Sequence, residues 1–193
     1  MNSLHQPAVS TATTSPSAVI LQTERLILRP PGLEDFDDSF ALWSDPRVTR
    51  YILGKPSSQE DAWARLQRSC GHWALLGFGL WVVREKAGGR FVGEIGFMHV
   101  KRDLVPSFGV TPEIGWVLSP SAQGKGYASE AVQAALRWSD RHWPGAETAC
   151  IISPENAASI RIAVKHGYVE SGHTTYKAGP IVIYRRAAVE RIG

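Results

Sequence analysis

The sequence predicts a mixed α/β domain, in which helices flank a largely antiparallel central sheet. The chain has 193 residues, of which 44% are hydrophobic and 20% are charged, and these values are typical of one globular domain with a sizeable core. Segments that alternate apolar and polar residues are interspersed with segments whose apolar residues recur every three to four positions. Their order is a strand, two helices, three strands, a helix, a strand, a helix and two strands.

The N-terminal third is predicted to contain one strand and two helices. Glu24–Pro30 has the alternation of a strand, and the Pro-Pro-Gly sequence at its end terminates it. Leu33–Trp43 places its large apolar residues on one helical face. Pro56–Leu76 predicts a longer helix, which Ser57 and Glu60 open in the S-x-x-E spacing of a capping box.

The rest of the chain is predicted to contain two hairpins and two strand–helix units. The turn Lys86–Gly89 joins the first hairpin. The predicted strands are Phe78–Glu85, Arg90–Val100, Glu113–Leu118, Glu147–Ser153, Tyr168–Lys177 and Gly179–Val189. The predicted helices are Gly126–Arg141 and Asn156–Gly167.

The N-terminal segment differs in composition from the rest. Residues 1–18 are rich in Ser, Thr, Ala and Pro and contain no Lys or Arg. They lack the basic start and apolar run of a signal peptide and the arginines of a mitochondrial presequence. We therefore expect residues 1–18 to be a disordered tail, residues 19–193 to form a single domain, and the protein to be cytoplasmic.

Charge and cysteine content exclude several classes of partner. The formal net charge is only +3, and the basic pairs Lys101–Arg102 and Arg185–Arg186 are more typical of solvated strand ends than of a nucleic-acid surface. The two cysteines, Cys70 and Cys150, form neither a disulfide framework nor a CxxC motif, which favours a reducing compartment. No apolar run is long enough to cross a membrane. We predict no nucleic-acid partner, no membrane association and no metal.

Two glycines separate the strand Glu113–Leu118 from the helix that follows. Gly124 and Gly126 flank a lysine at this strand-to-helix turn. The first N–H groups of a helix have no partner within the helix, and its N-terminus carries a partial positive charge. Glycines also allow an anion to approach the backbone closely, so the turn can bind a phosphate. A glycine-rich connector without a ligand fits the same pattern.

Three phosphate-binding patterns can be compared with this turn. The P-loop pattern G-x-x-x-x-G-K-[S/T] fails at two positions. Ser119 occupies the position of its first glycine, and Gly126 rather than Ser or Thr follows the lysine. The dinucleotide pattern G-x-G-x-x-[G/A] fails at Ser129, and no regular βαβαβ series follows. The pattern Q-x-x-G-x-A is matched by Gln123–Ala128, which we call the glycine loop.

The glycine loop, with sequence QGKGYA, resembles the acyl-CoA pyrophosphate loop of the GNAT N-acetyltransferases. Three further segments, Thr23–Pro30, Gly93–Phe97 and Asn156–Tyr168, resemble the subgroup of that superfamily that includes the ribosomal-protein N-terminal alanine acetyltransferases. The resemblance extends over roughly Leu21–Arg186.

The resemblance implies a particular fold and a site for acetyl-CoA. Two parallel strands, Glu113–Leu118 and Glu147–Ile152, would splay apart at a β-bulge, and the pantetheine arm would lie between them. The arm would pair with the backbone of Val117 and Leu118. The backbone N–H groups of the glycine loop would bind the diphosphate. The implied residues of the loop are Gln123, Gly124, Lys125, Gly126, Tyr127 and Ala128.

The resemblance also implies a reaction, the transfer of an acetyl group to a primary amine by direct attack in a ternary complex. Glu113 is the implied general base, with Glu94 as a second candidate; a strand-edge ion pair is the alternative role for Glu113. Leu118 would supply an N–H group to the oxyanion. Many GNAT enzymes have a general-acid tyrosine where this chain has Ala163, so Ser159 is the implied acid instead.

Other roles remain open for individual residues. Asn156 can cap the helix that it opens, bind the pantetheine arm, or do both. Lys125 can approach the phosphates or be an exposed loop lysine, and Ser159 can bond to its own helix backbone. Neither cysteine has an adjacent basic residue to lower its pKa, which argues against a covalent acetyl-cysteine intermediate. Most of the N-terminal tryptophans are expected in the core, with one or two shaping the amine site: Trp43, Trp63, Trp73 and Trp81.

Two other functions fit parts of the pattern. One is a GNAT-fold acyl-CoA-binding sensor or partner module with little catalysis, and the other is a nucleotide-dependent enzyme. The acceptor is expected to be a protein N-terminus, a small amine or an amino-modified antibiotic. The loops Arg47–Ser57 and Lys101–Pro112 carry no motif that selects among these. Both a monomer and a homodimer are consistent with the sequence.

Overall fold

The computed structural model of the chain describes residues 19–188 except 106, 108, 110 and 178. The predicted tail, residues 1–18, lies outside the described residues. The strands are β1 (Leu21–Gln22), β2 (Leu26–Arg29), β3 (Leu80–Glu85), β4 (Phe91–Met98), β5 (Glu113–Leu118), β6 (Thr148–Ile152), β7 (Val169–Tyr176) and β8 (Gly179–Arg186). The helices are α1 (Phe36–Ser44), α2 (Pro46–Thr49), α3 (Gln59–Leu76), α4 (Tyr127–His142) and α5 (Ala157–Lys165).

All eight strands form one sheet in the order β1-β2-β3-β4-β5-β6-β8-β7. Neighbouring strands are antiparallel except for β5 and β6, which are parallel. The predicted mixed α/β class with a largely antiparallel sheet is therefore confirmed.

Helices cover both faces of this sheet. On one face, the buried residues that α4 contributes to the main core are Ala131, Val132, Ala135, Leu136 and Trp138. On the other face, Trp43 of α1 and Val48 of α2 pack against Val82 and Phe91 of the sheet. Each buried side chain of this size stabilises the fold by about 1.5–3 kcal/mol relative to an exposed one. β4 and β5 therefore lie at the centre of the sheet, between two layers of helices.

The start of α3 differs by one residue from the prediction. Ser58, rather than Ser57, is the N-cap, and its hydroxyl oxygen accepts a hydrogen bond from the Asp61 N–H at 3.1 Å. The Asp61 carboxylate in turn accepts one from the Ser58 N–H at 3.1 Å. The capping box is therefore Ser58–Asp61, and the predicted pair Ser57–Glu60 is wrong. The reason is tertiary, because the N–H of Ser57 donates to the carbonyl of Trp43 in α1 and so fixes where the helix can begin.

Strand β4 contains one β-bulge. Val83 of β3 pairs with Gly93, whereas the next residue of β3 pairs with Phe91, so Val92 is an extra residue on β4. The extra residue shifts the alternation of side chains along the strand. As a result, Glu94 faces α1 together with Phe91, and Val92 faces the α4 side.

The bulge implied by the family resemblance does not lie between β5 and β6. β5 pairs regularly with β4 from Glu113 opposite Met98 to Leu118 opposite Gly93, and β6 pairs regularly with β8. That expectation is corrected, since the irregularity is one strand away, in β4. A Cβ at Gly93 would lie 2.1 Å from the carbonyl oxygen of Val117, so glycine is needed for β4 to approach β5 at the bulge.

The expected splay between β5 and β6 is present. The two strands pair only where Glu113 lies opposite Ala149, next to a 3.0 Å hydrogen bond from the Ala149 N–H to the Pro112 carbonyl. Beyond this point β5 continues along β4, while β6 continues along β8. The two strands therefore diverge, and Trp116–Leu118 become half-exposed. We call the space between them the β5–β6 gap.

Candidate active site

The open end of the β5–β6 gap lies at the starts of two helices. Because β5 and β6 are parallel, their carboxyl ends lie at the same edge of the sheet, where open α/β sheets bind ligands. The chain enters α4 from β5 and α5 from β6. The gap therefore opens towards two helix N-termini.

The glycine loop presents a row of backbone donors at this end. Gly124 and Gly126 have left-handed φ angles of 76° and 81°, and Gly126 is the N-cap of α4. The hydrogen bonds among the described residues include none from the N–H groups of residues 124–128. Donors of this kind beside a helix N-terminus form an anion-binding concavity. The Lys125 side chain is exposed.

The backbone of β5 also presents a donor to the gap. The N–H of Ser119 donates to the Val92 carbonyl of β4 at 2.9 Å. Since successive N–H groups of a strand point to opposite sides, the N–H of Leu118 points towards the gap. On the same side, the Gln123 side-chain amide donates to the Leu118 carbonyl at 3.4 Å. The backbone of Leu118 thus faces the gap, whereas the N–H and C=O groups of Val117 point to Glu94 of β4.

Glu113 lies where the gap closes, and it is paired with an arginine. Its side chain is buried, and its two carboxylate oxygens accept hydrogen bonds from Arg102 Nε at 2.6 Å and Arg102 Nη2 at 2.8 Å. The guanidinium of Arg102 also lies 4.9 Å from the centre of the Tyr176 ring. Burial lowers the pKa of Arg102, but the hydrogen bonds and charge of Glu113 outweigh it and hold that pKa above its ordinary value. The ion pair considered as the alternative role for Glu113 is therefore present.

Glu94 faces away from the α4 side. Its carboxylate accepts hydrogen bonds from the Ser39 hydroxyl at 2.7 Å and from the Trp43 Nε1–H at 3.1 Å, both on α1. Burial raises the pKa of Glu94, and the hydrogen bonds and the charge of Arg65 only partly offset it. Glu94 is 8% exposed and Glu113 4%, so burial does not distinguish the two; what does is that the Glu94 carboxylate is bound on the α1 side of the sheet rather than at the β5–β6 gap.

Asn156 and Ser159 lie at the start of α5. The Asn156 Oδ1 accepts a hydrogen bond from the Ser159 N–H at 3.1 Å, so Asn156 is the N-cap. Its side-chain NH₂ group makes no hydrogen bond to the described residues, and neither does the half-buried Ser159 hydroxyl. Ala163, at the position of the family's tyrosine, is fully buried in the core.

The two cysteines are unsuited to nucleophilic chemistry. Burial, with the charge of Glu113, raises the pKa of Cys150 far above its ordinary value. Burial and two nearby carboxylates, Asp35 and Glu34, raise the pKa of Cys70. Both side chains are therefore neutral thiols near pH 7, and a thiol is a poor nucleophile. Among the described residues, no three His, Cys, Asp or Glu side chains are grouped as a metal site requires.

The tryptophans divide into a buried set and one exposed residue. Trp43, Trp73 and Trp81 are at most 8% exposed. Trp63 is 40% exposed and lies edge-on to Phe36, with ring centres 5.4 Å apart. Only Trp63 of the four is accessible enough to contact a ligand directly.

Sequence reasoning missed two arginines that contact the site. Arg102 lies in a loop without a motif, and Arg25 lies in a strand-edge segment about 100 residues from the glycine loop that it contacts. The resemblance of Thr23–Pro30 to the family was the only signal that pointed to either.

A family model described as an acetyltransferase (GNAT) domain matches residues 25–169, which include the β5–β6 gap and the starts of α4 and α5. The chain belongs to the GNAT acetyltransferase family. It is therefore an acetyl-CoA-dependent N-acetyltransferase.

Two curated relatives of this GNAT acetyltransferase come from Bacillus subtilis. The uncharacterized protein YkkB is 32% identical over 172 residues, which cover 86% of this chain and 94% of that protein. The uncharacterized N-acetyltransferase YnaD is 32% identical over 153 residues, which cover 79% of this chain and 84% of that protein.

Solved structures confirm the GNAT fold. A GNAT-family acetyltransferase from Bacillus anthracis is 25% identical and superposes with a TM-score of 0.73 over 88% of this chain and 98% of that chain. Two more distant structures share the fold. One is the ribosomal L7/L12 alpha-N-protein acetyltransferase RimL in complex with coenzyme A, with 16% identity and a TM-score of 0.71 over 88% of this chain and 98% of that chain. The other is spermidine N-acetyltransferase from Vibrio cholerae in complex with CoA and spermine, with 18% identity and a TM-score of 0.68 over 86% of this chain and 97% of that chain.

In the part of the chain that the structure describes, no helix of this GNAT acetyltransferase is both long enough and apolar enough to cross a bilayer.

Proposed function

We propose that this acetyltransferase transfers the acetyl group of acetyl-CoA directly to a primary amine while both substrates are bound. The observation that carries the proposal is the β5–β6 gap, at whose open end the N–H groups of residues 124–128 make no hydrogen bond to the described residues. A strand-sized space can hold an amide-containing arm, and a row of N–H groups at a helix N-terminus can hold a diphosphate. Acetyl-CoA has both parts in that order.

The donor would contact both strands and both helices. The diphosphate would accept hydrogen bonds from the N–H groups of residues 124–128, since the Gln123 N–H already donates to the Pro120 carbonyl at 3.4 Å. The pantetheine amides would pair with the backbone of Leu118, because the backbone groups of Val117 point to Glu94 of β4. The free side-chain NH₂ of Asn156 would donate to the same arm from the α5 side. The Leu118 N–H would then donate to the thioester oxygen and stabilise the negative charge that develops there.

The reaction needs one bond to form and one to break. The acceptor nitrogen attacks the thioester carbonyl carbon, a C–N bond forms, and the C–S bond breaks to release the CoA thiolate. The attacking nitrogen loses one proton and the thiolate gains one. We assign the second proton transfer to Ser159, whose hydroxyl is half-buried and unpartnered among the described residues, and the first to Glu113.

Glu113 can act as base only if its pairing changes. Both of its oxygens accept hydrogen bonds from Arg102, so an ammonium group or a water molecule has to displace part of that guanidinium before a proton can reach the carboxylate. Direct attack, rather than a covalent acetyl-enzyme, is supported by the raised pKa of both cysteines.

The decisive experiment measures thiol release from acetyl-CoA with a panel of amines. The panel contains a peptide with a free N-terminus, spermidine and an aminoglycoside, and mass spectrometry identifies any acetylated product. We expect one class to give a product 42 Da heavier together with an equal amount of free CoA. A protein that binds acetyl-CoA but releases no thiol with any amine would instead be the acyl-CoA sensor.

A further inference from the structure

One carboxylate near the glycine loop is bound entirely by a distant turn of the chain. Glu130, in the first turn of α4, accepts hydrogen bonds from the Thr23 hydroxyl at 2.5 Å, the Arg25 N–H at 2.9 Å and the Arg25 Nε at 2.7 Å. Its ion pair with Arg25 Nη2 measures 2.6 Å. Burial raises the pKa of Glu130, but these hydrogen bonds outweigh it and hold that pKa below its ordinary value. The carboxylate is therefore charged at neutral pH and fixes Arg25 in place.

The fixed guanidinium also holds the glycine loop. Arg25 Nη1 donates to the carbonyl oxygen of Lys125 at 3.0 Å, and the guanidinium lies 4.6 Å from the centre of the Tyr127 ring. Its Nη2 is also the nearest group to Gly126, 3.4 Å from where a Cβ would be. One side chain thus contacts the middle of the loop and the first residue of α4.

This contact determines the direction of a peptide group. A trans peptide is planar, and its C=O and N–H point to opposite sides. Because Arg25 holds the carbonyl of Lys125 on one side, the N–H of Gly126 is directed to the other side. Each of the three guanidinium nitrogens binds a protein oxygen, either of Glu130 or of the Lys125 carbonyl. Arg25 therefore lies on the side of the loop that faces the rest of the protein, opposite the side to which the Gly126 N–H is directed.

We propose that Arg25 is a positioning residue that orders the glycine loop for the diphosphate of acetyl-CoA. It acts through the Lys125 carbonyl and through Glu130, and it does not contact the phosphates. Ordering the donors before the ligand arrives lowers the entropic cost of binding. This inference rests on the proposed acetyl-CoA site. It adds to that site a residue that lies outside the glycine-loop motif.

The proposal predicts a loss that depends on the diphosphate. S-acetylpantetheine has the thioester and the pantetheine arm of acetyl-CoA but no diphosphate. An Arg25→Gln variant is therefore expected to bind acetyl-CoA about tenfold more weakly, the effect of losing one hydrogen bond with a charged partner. Its kcat at saturating acetyl-CoA and its KM for S-acetylpantetheine should equal those of the wild type.

The matched control breaks an ion pair at the other end of α4. Arg186 binds Asp140 with distances of 2.7 and 2.9 Å, also across the chain, and Arg186→Gln is expected to leave the KM for both donors unchanged. Arg25→Lys keeps a charge beside Glu130 but lacks the planar fork that reaches Lys125 at the same time. It should give an intermediate KM for acetyl-CoA.

Three results would overturn the inference. The first is an equal loss with both donors in Arg25→Gln, and the second is a loss of kcat at unchanged KM. The third is a failure of both Arg25 variants to fold, as judged by circular dichroism, since the residue would then support the fold rather than the loop. A wild-type protein that does not bind acetyl-CoA at all would instead contradict the proposed function, which separates the two ideas.

Discussion

At the scale of single residues, the pairing of Glu113 with Arg102 decides how the acid–base chemistry can be tested. A buried ion pair that loses one partner leaves an uncompensated charge, which typically destabilises a fold by about 3–5 kcal/mol. Changes at Glu113 are therefore expected to affect stability as well as the catalytic role proposed for it. A useful test has to separate the two effects.

Replacing Glu113 with Gln should lower kcat/KM about 10²- to 10⁴-fold, the usual range for loss of a general base. Gln keeps the shape of the side chain, so the affinity for acetyl-CoA should remain near normal, and the acidic limb of the pH–rate profile should disappear. Activity is measured per folded molecule, with the folded fraction determined by circular dichroism. Arg102→Gln is the control, because it breaks the same ion pair but retains the carboxylate. Equal activity of the two folded variants would show that Glu113 is structural.

The raised pKa of Glu94 predicts that the stability of the fold depends on pH. Burial raises its pKa, so the folded state binds the proton more tightly than the unfolded state does. Stability from this group is thus fully present below the ordinary carboxyl pKa and is lost as the pH rises through the raised value. Glu94→Gln removes this titration and should flatten the pH dependence, which urea unfolding between pH 4 and pH 8 would measure. Parallel curves for the variant and the wild type would contradict the raised pKa.

At the scale of elements, the glycines of the glycine loop have a left-handed backbone and lie where we propose that the diphosphate binds, and these two roles can be separated. Gly124 and Gly145 have nearly the same left-handed φ, 76° and 79°, and an added Cβ at either would meet no atom within 4 Å. Gly124 lies in the glycine loop, whereas Gly145 lies beyond the C-terminal end of α4. The chain thus contains its own matched control.

Changing either glycine to Ala should destabilise the fold by a similar amount, about 1–2 kcal/mol, because an L-residue is strained at this φ. Only Gly124→Ala should also weaken acetyl-CoA binding, since its methyl group lies in the loop that we propose binds the diphosphate. Chemical unfolding measures the first effect and calorimetric titration with CoA measures the second. Equal CoA affinities in the two variants would mean that the loop glycines serve the turn alone.

At the scale of the whole molecule, acetyl-CoA is expected to raise the melting temperature. A ligand that binds only the folded state at a hundredfold excess over its Kd adds about 2.7 kcal/mol, which corresponds to about 5–10 °C for a domain of this size. ATP and NAD should have no such effect, because the loop matches neither of their binding patterns. Scanning calorimetry with each ligand checks this. A shift with ATP or NAD alone would favour the nucleotide-dependent enzyme considered from the sequence.

Local sequence patterns predicted every helix and strand in its observed order except the short elements β1 and α2, and they located the glycine loop. Period-two and period-3.6 patterns are local properties, and in this chain they locate β5 at Glu113–Leu118 and α4 within a residue of its observed ends. The QGKGYA segment likewise determines a turn with two left-handed glycines before a helix. Such features depend only on neighbours in the chain, so a single sequence contains enough information to predict them.

Contacts between residues that are distant in the chain became apparent from the fold alone. It placed the capping box at Ser58 and the bulge in β4, it paired Glu113 with Arg102, and it brought Arg25 to the glycine loop from 100 residues away. Each of these depends on the path of the chain through space, since a hydrogen bond forms only when folding brings donor and acceptor within about 3 Å. Local sequence patterns do not specify that path. For this reason the partners of the site residues could be identified only from the folded structure.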